Sequence, residues 1–316
     1  MIMITVRYRF IRDVLINSFK KFQQGNALVR AAALSYYTIF SLPPMLLVIL
    51  FTTTLFYDPQ TVRQTIFGDL ADVIGRESAA QLANTVRMAG IFEGKWWTTL
   101  LGIGALLFTS TTVFVTIQDA LNRLFMVRPR PNAGWLKMLR DRIISFTLLL
   151  SIGFILVVSL TINALVAKFS QSLMVVIPSI SVLIIEITAL VLPFLITALL
   201  FMLIFKYLPD VRLPWKSVMT GGIVTAVLFF IGMYFIKLYI SNSYAVNLYQ
   251  AAGSVMVIMV WVYYASVIFL FGAALTFSFN ESAGFRMPAE DYAVKTVNLE
   301  IETGNPPEHL PDRSKP

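Results

Sequence analysis

The chain is organised by long runs of apolar residues that are almost free of charged side chains. Six such runs occur, and a helix of about 20 residues, at 1.5 Å per residue, crosses the ~30 Å hydrocarbon core of a bilayer. They cover residues 33–56, 97–117, 143–167, 174–205, 217–238 and 254–279. The pattern therefore predicts an all-α, polytopic membrane protein with six transmembrane helices.

The segments around these runs carry amphipathic patterns of their own. Apolar residues recur at helical spacing through 4–22, which predicts a helix in a cytoplasmic N-terminal segment, 1–30, lying in the membrane interface or packed on cytoplasmic loops. Loop 58–96 shows similar spacing and predicts two short helices over the outer face. Residues 281–316 follow the membrane domain, 31–280, and are acidic and proline-rich, so we expect a disordered cytoplasmic tail.

Composition favours a membrane protein over a soluble domain. The chain is 57% hydrophobic and 13% charged, with a mean hydropathy of +0.75. A soluble domain has about a quarter of its residues charged. We therefore expect a multi-pass membrane protein.

Basic residues are distributed unevenly between the two sets of loops. Fifteen lie before the first run or in the second and fourth loops, and six lie in the first, third and fifth loops. By the positive-inside rule both termini are predicted to be cytoplasmic. The net charge of +8 then reflects topology and contact with anionic lipid headgroups, and no nucleic acid is expected as a partner.

The residue inventory leaves little material for enzymatic chemistry. The chain has no Cys and a single His, His309, so zinc sites and nucleophile–His arrangements are not available. The densest acids outside the tail lie in the first outer loop, where RNA is not expected; they are Asp58, Asp69, Asp72, Glu77 and Glu93. We therefore predict neither an enzyme nor a bound cofactor or metal.

Polar side chains recur along one face of the second run. Thr109, Thr112, Thr116, Asp119 and Arg123 are spaced by three or four residues, which places them on one side of a helix. Such hydroxyls commonly bond to their own helix. A polar wall of a substrate cavity is the second interpretation.

One acid lies within a predicted span. Glu186 precedes Lys206 by 20 residues and Lys237 follows Lys216 by 21 residues, so both reach the outer interface. We predict a Glu186–Lys237 ion pair there, with an unpaired interfacial Glu186 as the alternative.

The first run, ALSYYTIFSLPPMLLVILFTTTLF, contains the adjacent prolines Pro43 and Pro44. A helix that began at Pro43 would reach Phe56 after about 21 Å, too short to cross a bilayer, so the residues before it must also lie at membrane depth. There the carbonyls of Ile39 and Phe40 lose their helical partners.

Nearby hydroxyls could satisfy these carbonyls; they belong to Ser35, Tyr36, Tyr37, Thr38 and Ser41. A kink packed by neighbouring helices and a broken helix lining a substrate path both fit, and either way we expect residues 33–56 to cross as two helical pieces. Pro178 and Pro193 predict a second interrupted helix, and transporters often place their sites at such breaks.

Four ordered blocks carry a family resemblance. They are GNALVRAAALSYYTIFSLPPMLLVIL, ALNRLFMVRPR, YLPDVRLPWKSVMTGGIVTAVLF and AAGSVMVIMVWVYYASVIFLFGAALT, within residues 25–280. In these blocks the chain resembles the YihY/virulence factor BrkB family. The resemblance implies a six-helix protein of the bacterial inner membrane, from a family once labelled ribonuclease BN, associated with envelope and virulence phenotypes, for which transport has been suggested.

The chain departs from the family pattern at two places. Tyr249 is followed by Gln250 where the family has a Tyr-Gly pair, and Gly272, Ala273 and Ala274 stand where it has Gly-Ala-Glu. A role of that glutamate in proton or substrate handling is therefore not expected in this chain.

These observations predict a transporter or flippase-like protein for an amphipathic or lipid-linked envelope substrate, with membrane lipids as partners. Residues predicted to line its path are Tyr36, Tyr37, Thr38, Pro43, Pro44, Thr109, Thr112, Thr116, Asp119, Glu186 and Lys237; Arg123, Arg128 and Arg130 are predicted to contact anionic headgroups. The alternative is a non-transporting scaffold that binds partners through its outer helices and tail. Ribonuclease activity is not expected.

Overall fold

Helices account for most of the chain, which a computed structural model describes over residues 2–88, 96–130, 134–174, 178–241 and 251–296. In chain order the elements are α1 (Ile2–Gln24), α2 (Ala27–Thr54), α3 (Pro59–Ile74), α4 (Arg76–Met88), α5 (Trp96–Leu124), β1 (Val127–Pro129), α6 (Gly134–Met174), α7 (Pro178–Tyr207), α8 (Trp215–Ser241), α9 (Ala251–Ser282) and β2 (Ala293–Lys295).

Each of the six apolar runs forms a helix, which confirms the all-α membrane fold. Of the described residues, those of α2, α6, α7, α8 and α9 form helices long and apolar enough to cross a membrane. The second apolar run, a predicted span, lies in the helix α5, which is not one of these five candidate membrane spans. The count of six spans and the cytoplasmic termini therefore stay predictions. We call the ends of α2 at Ala27 and of α5 at Leu124 the inner ends, following the predicted orientation.

The proline-containing helices are continuous, so the prediction of two helical pieces is wrong. Pro43 and Pro44 lie inside α2, and α7 begins at Pro178 and runs through Pro193. A proline removes its own N–H and its ring crowds the carbonyl one turn before it. Membrane helices tolerate this because neighbouring helices, side-chain hydroxyls and small local adjustments can satisfy the freed backbone groups. Burial of Leu46, Val48 and Ile49 beyond the prolines fixes this part of α2 against its neighbours.

The apolar faces of the helices meet in one main core. α2 packs against α5, α6 and α9, while α7 packs between α6 and α8, and α8 returns to α9. The largest fully buried side chains include Leu121, Phe125, Leu149, Phe205 and Leu270. The core therefore joins most of the predicted spans into one body.

The two short helices predicted in loop 58–96 are present as α3 and α4. Asp58 caps α3 by accepting hydrogen bonds from the Gln60 and Thr61 amides, each at 3.0 Å, and Pro59 follows at the first helical position. Gly75 separates the two helices with a φ of 86°, a conformation that glycine adopts without strain.

The N-terminal helix α1 packs along the inner part of α9. The rings of Phe10 and Phe22 meet Phe279 and Phe271 at centroid distances of 5.9 and 5.8 Å. Another stripe of α1 remains exposed, with Ile11, Leu15 and Phe19 between 48% and 56% accessible. The predicted helix is therefore both packed on the protein and apolar on its free side, as an interfacial helix would be.

The segment predicted to be disordered from residue 281 is ordered as far as residue 296. α9 extends to Ser282, and β2 pairs antiparallel with β1, with Val294 opposite Arg128. Met287 and Ala293 are buried, so two apolar anchors and a strand pairing fix a segment that composition alone marks as disordered. We call residues 283–296 the strap. Residues 297–316 of the predicted tail lie outside the described part.

Candidate functional site

Three of the threonine hydroxyls predicted to line a path are bonded within their own helices. Thr38, Thr112 and Thr116 donate to the carbonyls of Leu34, Phe108 and Thr112 at 2.7, 2.9 and 3.0 Å. Thr109 also lies on α5 and is half-buried. These contacts match the first interpretation of the threonine face, in which hydroxyls satisfy their own backbone.

The tyrosines of the first run face outward from α2. Tyr36 is 54% exposed and Tyr37 is 44% exposed, and the Tyr36 ring contacts the rings of Tyr37 and Phe40. Pro43 and Pro44 are half-buried one to two turns further along. Ser35, meanwhile, donates to the Ala32 carbonyl, so its hydroxyl is engaged away from the proline-freed carbonyls.

The predicted Glu186–Lys237 pair cannot be placed. The backbone of α7 and α8 includes both positions, but their side chains lie outside the described residues. The pair stays a prediction.

A cavity of about 700 Å³ lies where the inner ends of α2 and α5 meet the β1–β2 ribbon. We call it the basic pocket. It is lined by Gln24, Gly25, Asn26, Arg30, Asp119, Asn122, Arg123, Met126, Val127, Arg128, Pro129, Lys295 and Thr296. The structure thus brings together Asp119 and Arg123 of the predicted polar face and Arg128, which with Arg123 was predicted to contact headgroups.

Positive charge dominates this pocket. Among the described residues four cations line it, Arg30, Arg123, Arg128 and Lys295, against the single carboxylate of Asp119. The Arg30 Nε donates to the Gly25 carbonyl at 2.9 Å, which fixes the guanidinium at the turn between α1 and α2. A concave site with excess positive charge attracts anions, and the planar guanidinium matches a phosphate or carboxylate group.

A buried polar network centred on Asp210 lies directly behind the pocket. Asp210 is fully buried in the loop after α7 and accepts hydrogen bonds from Gln118 Nε2 and Asn122 Nδ2, both at 2.9 Å. Its own amide donates to Asn122 Oδ1 at 2.8 Å. Asn122 also lines the pocket, so the network holds one wall of the anion site in place.

A largely buried lysine balances part of the charge in this network. Lys137 Nζ lies 3.3 Å from Asp210 Oδ2 and also contacts the carboxylate of Asp141. Gln118 Nε2 additionally donates to Asp141 at 3.2 Å. Two carboxylates therefore share one ammonium and several amide donors, which satisfies charges that would be costly to bury alone.

The strap closes the network from the inner side. The Tyr292 hydroxyl donates to Asp210 Oδ1 at 3.1 Å, and the guanidinium of Arg140 stacks 4.4 Å from the Tyr292 ring centroid. Burial, together with the Asp210 carboxylate, raises the pKa of Tyr292 above its usual range, so the hydroxyl keeps its proton and remains a donor. β2 then places Lys295 in the pocket wall.

Sequence reasoning found part of this site and missed the rest. Arg130 was predicted to contact headgroups, but it does not line the pocket, and its backbone amide donates to the Tyr292 carbonyl at 2.9 Å. The residues that it missed are Arg30, Gln118, Asn122, Lys137, Asp141, Asp210, Tyr292 and Lys295. The available signal was that Asn122 and Asp210 fall in two of the blocks that carry the family resemblance, ALNRLFMVRPR and YLPDVRLPWK.

The arrangement suits anion binding better than metal binding. Within the described ranges no three carboxylate or imidazole groups are placed to hold a metal ion together. The carboxylates of Asp141 and Asp210 are instead engaged by Lys137 and by amide donors. The chemistry available in the pocket is therefore electrostatic and hydrogen-bonding recognition.

Known proteins resemble this chain along most of its length. The family model described as Virulence factor BrkB matches residues 18–294. A UPF0761 membrane protein of Psychromonas ingrahamii is 27% identical over 88% of this chain and 90% of its own length. No solved structure matches the chain.

Two further relatives are longer proteins. The UPF0761 membrane proteins of Azotobacter vinelandii and Pseudomonas aeruginosa are each 27% identical over 89% and 88% of this chain, respectively. The match covers 67% and 62% of those two proteins, so the chain spans about two thirds of their length.

Proposed function

The chain belongs to the virulence factor BrkB family and is a multi-pass membrane protein, and from that premise we propose that it moves an anionic amphipathic or lipid-linked envelope substrate across the bacterial inner membrane. The observation that carries the proposal is the basic pocket at the inner ends of α2 and α5. Its four cations fit the phosphate or carboxylate of a headgroup.

A stripe of residues that ends in exposed aromatic side chains leads from this pocket along the face of α2 that points away from the bundle. Arg30, Tyr37, Pro44 and Phe51 follow one another at intervals of seven residues, which places them on one face of the helix, with about 10 Å between successive members. Tyr37 and Phe51 are 44% and 60% exposed. If Arg30 binds the charged headgroup of a substrate, the apolar chain attached to that headgroup would therefore lie beside this accessible apolar surface.

This combination favours an amphipathic substrate over a small soluble anion. A soluble anion would need only the cations, whereas a lipid needs an apolar track that continues from its headgroup site into the membrane. The same stripe passes the prolines, where the carbonyls of Ile39 and Phe40 lack their usual N–H donors. Hydroxyl groups of a moving headgroup, or water that accompanies it, could donate hydrogen bonds to such carbonyls at membrane depth.

Transport is tested with purified protein in liposomes that carry trace fluorescent lipids. Bleaching of outer-leaflet label by an impermeant reductant measures transbilayer movement, for phosphatidic acid, phosphatidylglycerol and phosphatidylcholine in separate preparations. We expect faster movement of the anionic lipids than in empty liposomes, and loss of that movement in Arg30→Gln/Arg123→Gln.

The matched control is Lys20→Gln/Lys216→Gln, which removes the same charge from exposed inner positions outside the pocket. Its transport should equal that of the unmodified protein. Rates equal to those of empty liposomes for every lipid would reject transport and favour the scaffold.

A further inference from the structure

The helices α3 and α4 form a hairpin that packs into the bundle. They contact each other and α2 and α9, and α3 also touches α8. Gly75, with its positive φ, is the turn between them. The hairpin thus has membrane-spanning helices on several sides, which a pair of helices resting on the outer surface would not require.

One face of the hairpin is apolar and buried along its whole length. Val62, Ile66, Leu82 and Val86 belong to the main core. Ile74 and Ala79, which flank Gly75, belong to a second cluster with Val257, Ile258 and Val262 of α9, and Ile39 and Trp261 pack against that cluster. The turn of the hairpin therefore lies beside the middle part of α2 and not beside its outer end.

Helix lengths give the depth of this turn. Ile39 lies fifteen residues before the outer end of α2 at Thr54, and Ile74 lies fifteen residues after the start of α3 at Pro59. Both intervals correspond to about 22 Å. A helix that starts near the outer end of α2 and runs antiparallel to it would bring Ile74 to the level of Ile39, as the shared cluster requires.

The opposite face of the hairpin is charged. Asp69, Asp72, Arg76 and Glu77 are exposed, and Arg76 and Glu77 stand directly after the turn. Charged side chains at this depth are costly against hydrocarbon, and non-helical backbone such as that at Gly75 must be buried in protein or face water. Lipid is therefore excluded as the medium that this face contacts.

We infer that the α3–α4 hairpin re-enters the membrane and that its charged face lines a water-filled vestibule reaching from the outer side to about the middle of the bilayer. This replaces the sequence-based prediction that the two helices lie over the outer face. The inference follows from hairpin depth and charge, and it holds whether or not the protein transports a lipid.

The depth of the turn is tested by distance measurement between spin labels. The native chain has no cysteine, so spin labels attach only to the two engineered thiols of each double variant. Gln60→Cys at the start of α3 and Arg76→Cys at the turn are each combined with Glu281→Cys at the inner end of α9; all three native side chains are exposed. The Arg76 pair should be closer than the Gln60 pair by roughly 15–20 Å, from the helical rise. Equal distances would place the hairpin flat on the surface and overturn the inference.

The presence of water beside the charged face is tested with single spin labels, through their collisions with a soluble nickel chelate and with oxygen. Labels at Asp72→Cys and Arg76→Cys should resemble Gln60→Cys, with high access to nickel. Phe154→Cys and Leu190→Cys, at exposed apolar positions midway along α6 and α7, should favour oxygen and exclude nickel. An Arg76 label that behaves like the Leu190 label would overturn the vestibule even if the depth is as inferred.

Discussion

At the scale of single residues, Asp210 is the point on which the inner end of the bundle converges. Its carboxylate is reached by side chains from α5, α6 and the strap, namely Gln118, Asn122, Lys137 and Tyr292. It is fully buried, so each of these partners replaces water that the carboxylate has lost. The residue is one of several aspartates in the sequence, and only tertiary contacts distinguish it from Asp119 at the rim of the pocket.

Replacement of Asp210 should be strongly destabilising. In Asp210→Asn the new amide group must face Lys137 and other donors. The largely buried Lys137 ammonium then loses one of its two counter-charges, at a cost of about 3–5 kcal/mol. Unfolding in detergent, followed by circular dichroism, measures this loss.

The matched control for this substitution is Arg212→Gln, which removes the exposed ion pairs with Glu290 and Asp291. Surface pairs contribute little, so its unfolding should be close to that of the unmodified protein. An Asp210→Asn protein as stable as this control would contradict the role of the network.

The strap gives a second prediction at residue scale. Tyr292→Phe removes the hydrogen bond to Asp210 while keeping the ring under Arg140. A hydrogen bond to a charged group contributes about 1.5–3 kcal/mol, so local opening should become at least about tenfold more frequent. Hydrogen exchange of the Arg130 and Thr296 amides, which bond across the ribbon, measures this opening. Unchanged exchange would show that Tyr292 does not hold the strap, and Tyr234→Phe at an exposed position serves as control.

At the scale of elements, the sequence predicted where the helices lie, but it predicted less well where they end and whether they are continuous. Long apolar runs can hardly form anything else in a membrane, so each predicted span appears as a helix. The breaks predicted at Pro43 and Pro193 did not appear, because a membrane helix packed among neighbours can tolerate the donor that a proline removes. The strap was missed because its anchors, β1 and Asp210, lie more than 80 residues away in sequence.

The contact between α8 and α9 illustrates how small residues set an element's position. A Cβ built on Gly221 would lie 1.8 Å from Thr276 Oγ1, and one on Gly272 would lie 2.0 Å from Thr225 Oγ1. Each threonine hydroxyl donates to the carbonyl of the glycine on its own helix, at 2.6 and 2.8 Å. Two reciprocal glycine–threonine contacts thus bring the helices into close approach, as small residues do in membranes.

A substitution in this contact should therefore destabilise the protein, and a second substitution should recover part of the lost stability. Gly272→Ala forces Thr225 to move and should destabilise the protein by about 1–3 kcal/mol. Adding Thr225→Ala should recover part of that loss, because it removes the clashing hydroxyl and methyl groups. Denaturation of the four proteins in a double-mutant cycle measures the coupling. Independent, additive effects would contradict the close approach, and Gly104→Ala, in open space on α5, should change little.

At the scale of the whole molecule, the sequence predicted a membrane bundle but not where its chemistry gathers. Arg123 and Arg128 were identified from their position after the second run, whereas Arg30 and Lys295 come from segments far apart in the chain. The pocket exists because the α1–α2 turn, the end of α5 and the strap meet at one place. The periodicity of the sequence does not predict that these three segments lie next to one another.

The central claim is that the basic pocket binds the anionic group of an amphiphile, and equilibrium binding to the purified protein tests it most directly. Calorimetric titration with dioctanoyl phosphatidic acid, dioctanoyl phosphatidylcholine and inorganic phosphate separates headgroup charge from the apolar chain. We predict that the acid binds more tightly than either of the others. Arg30→Gln/Arg123→Gln should weaken its binding at least about tenfold, a loss of about 1.4 kcal/mol, and added salt should weaken it further. Equal affinity in this variant and in the control Lys20→Gln/Lys216→Gln would contradict the account.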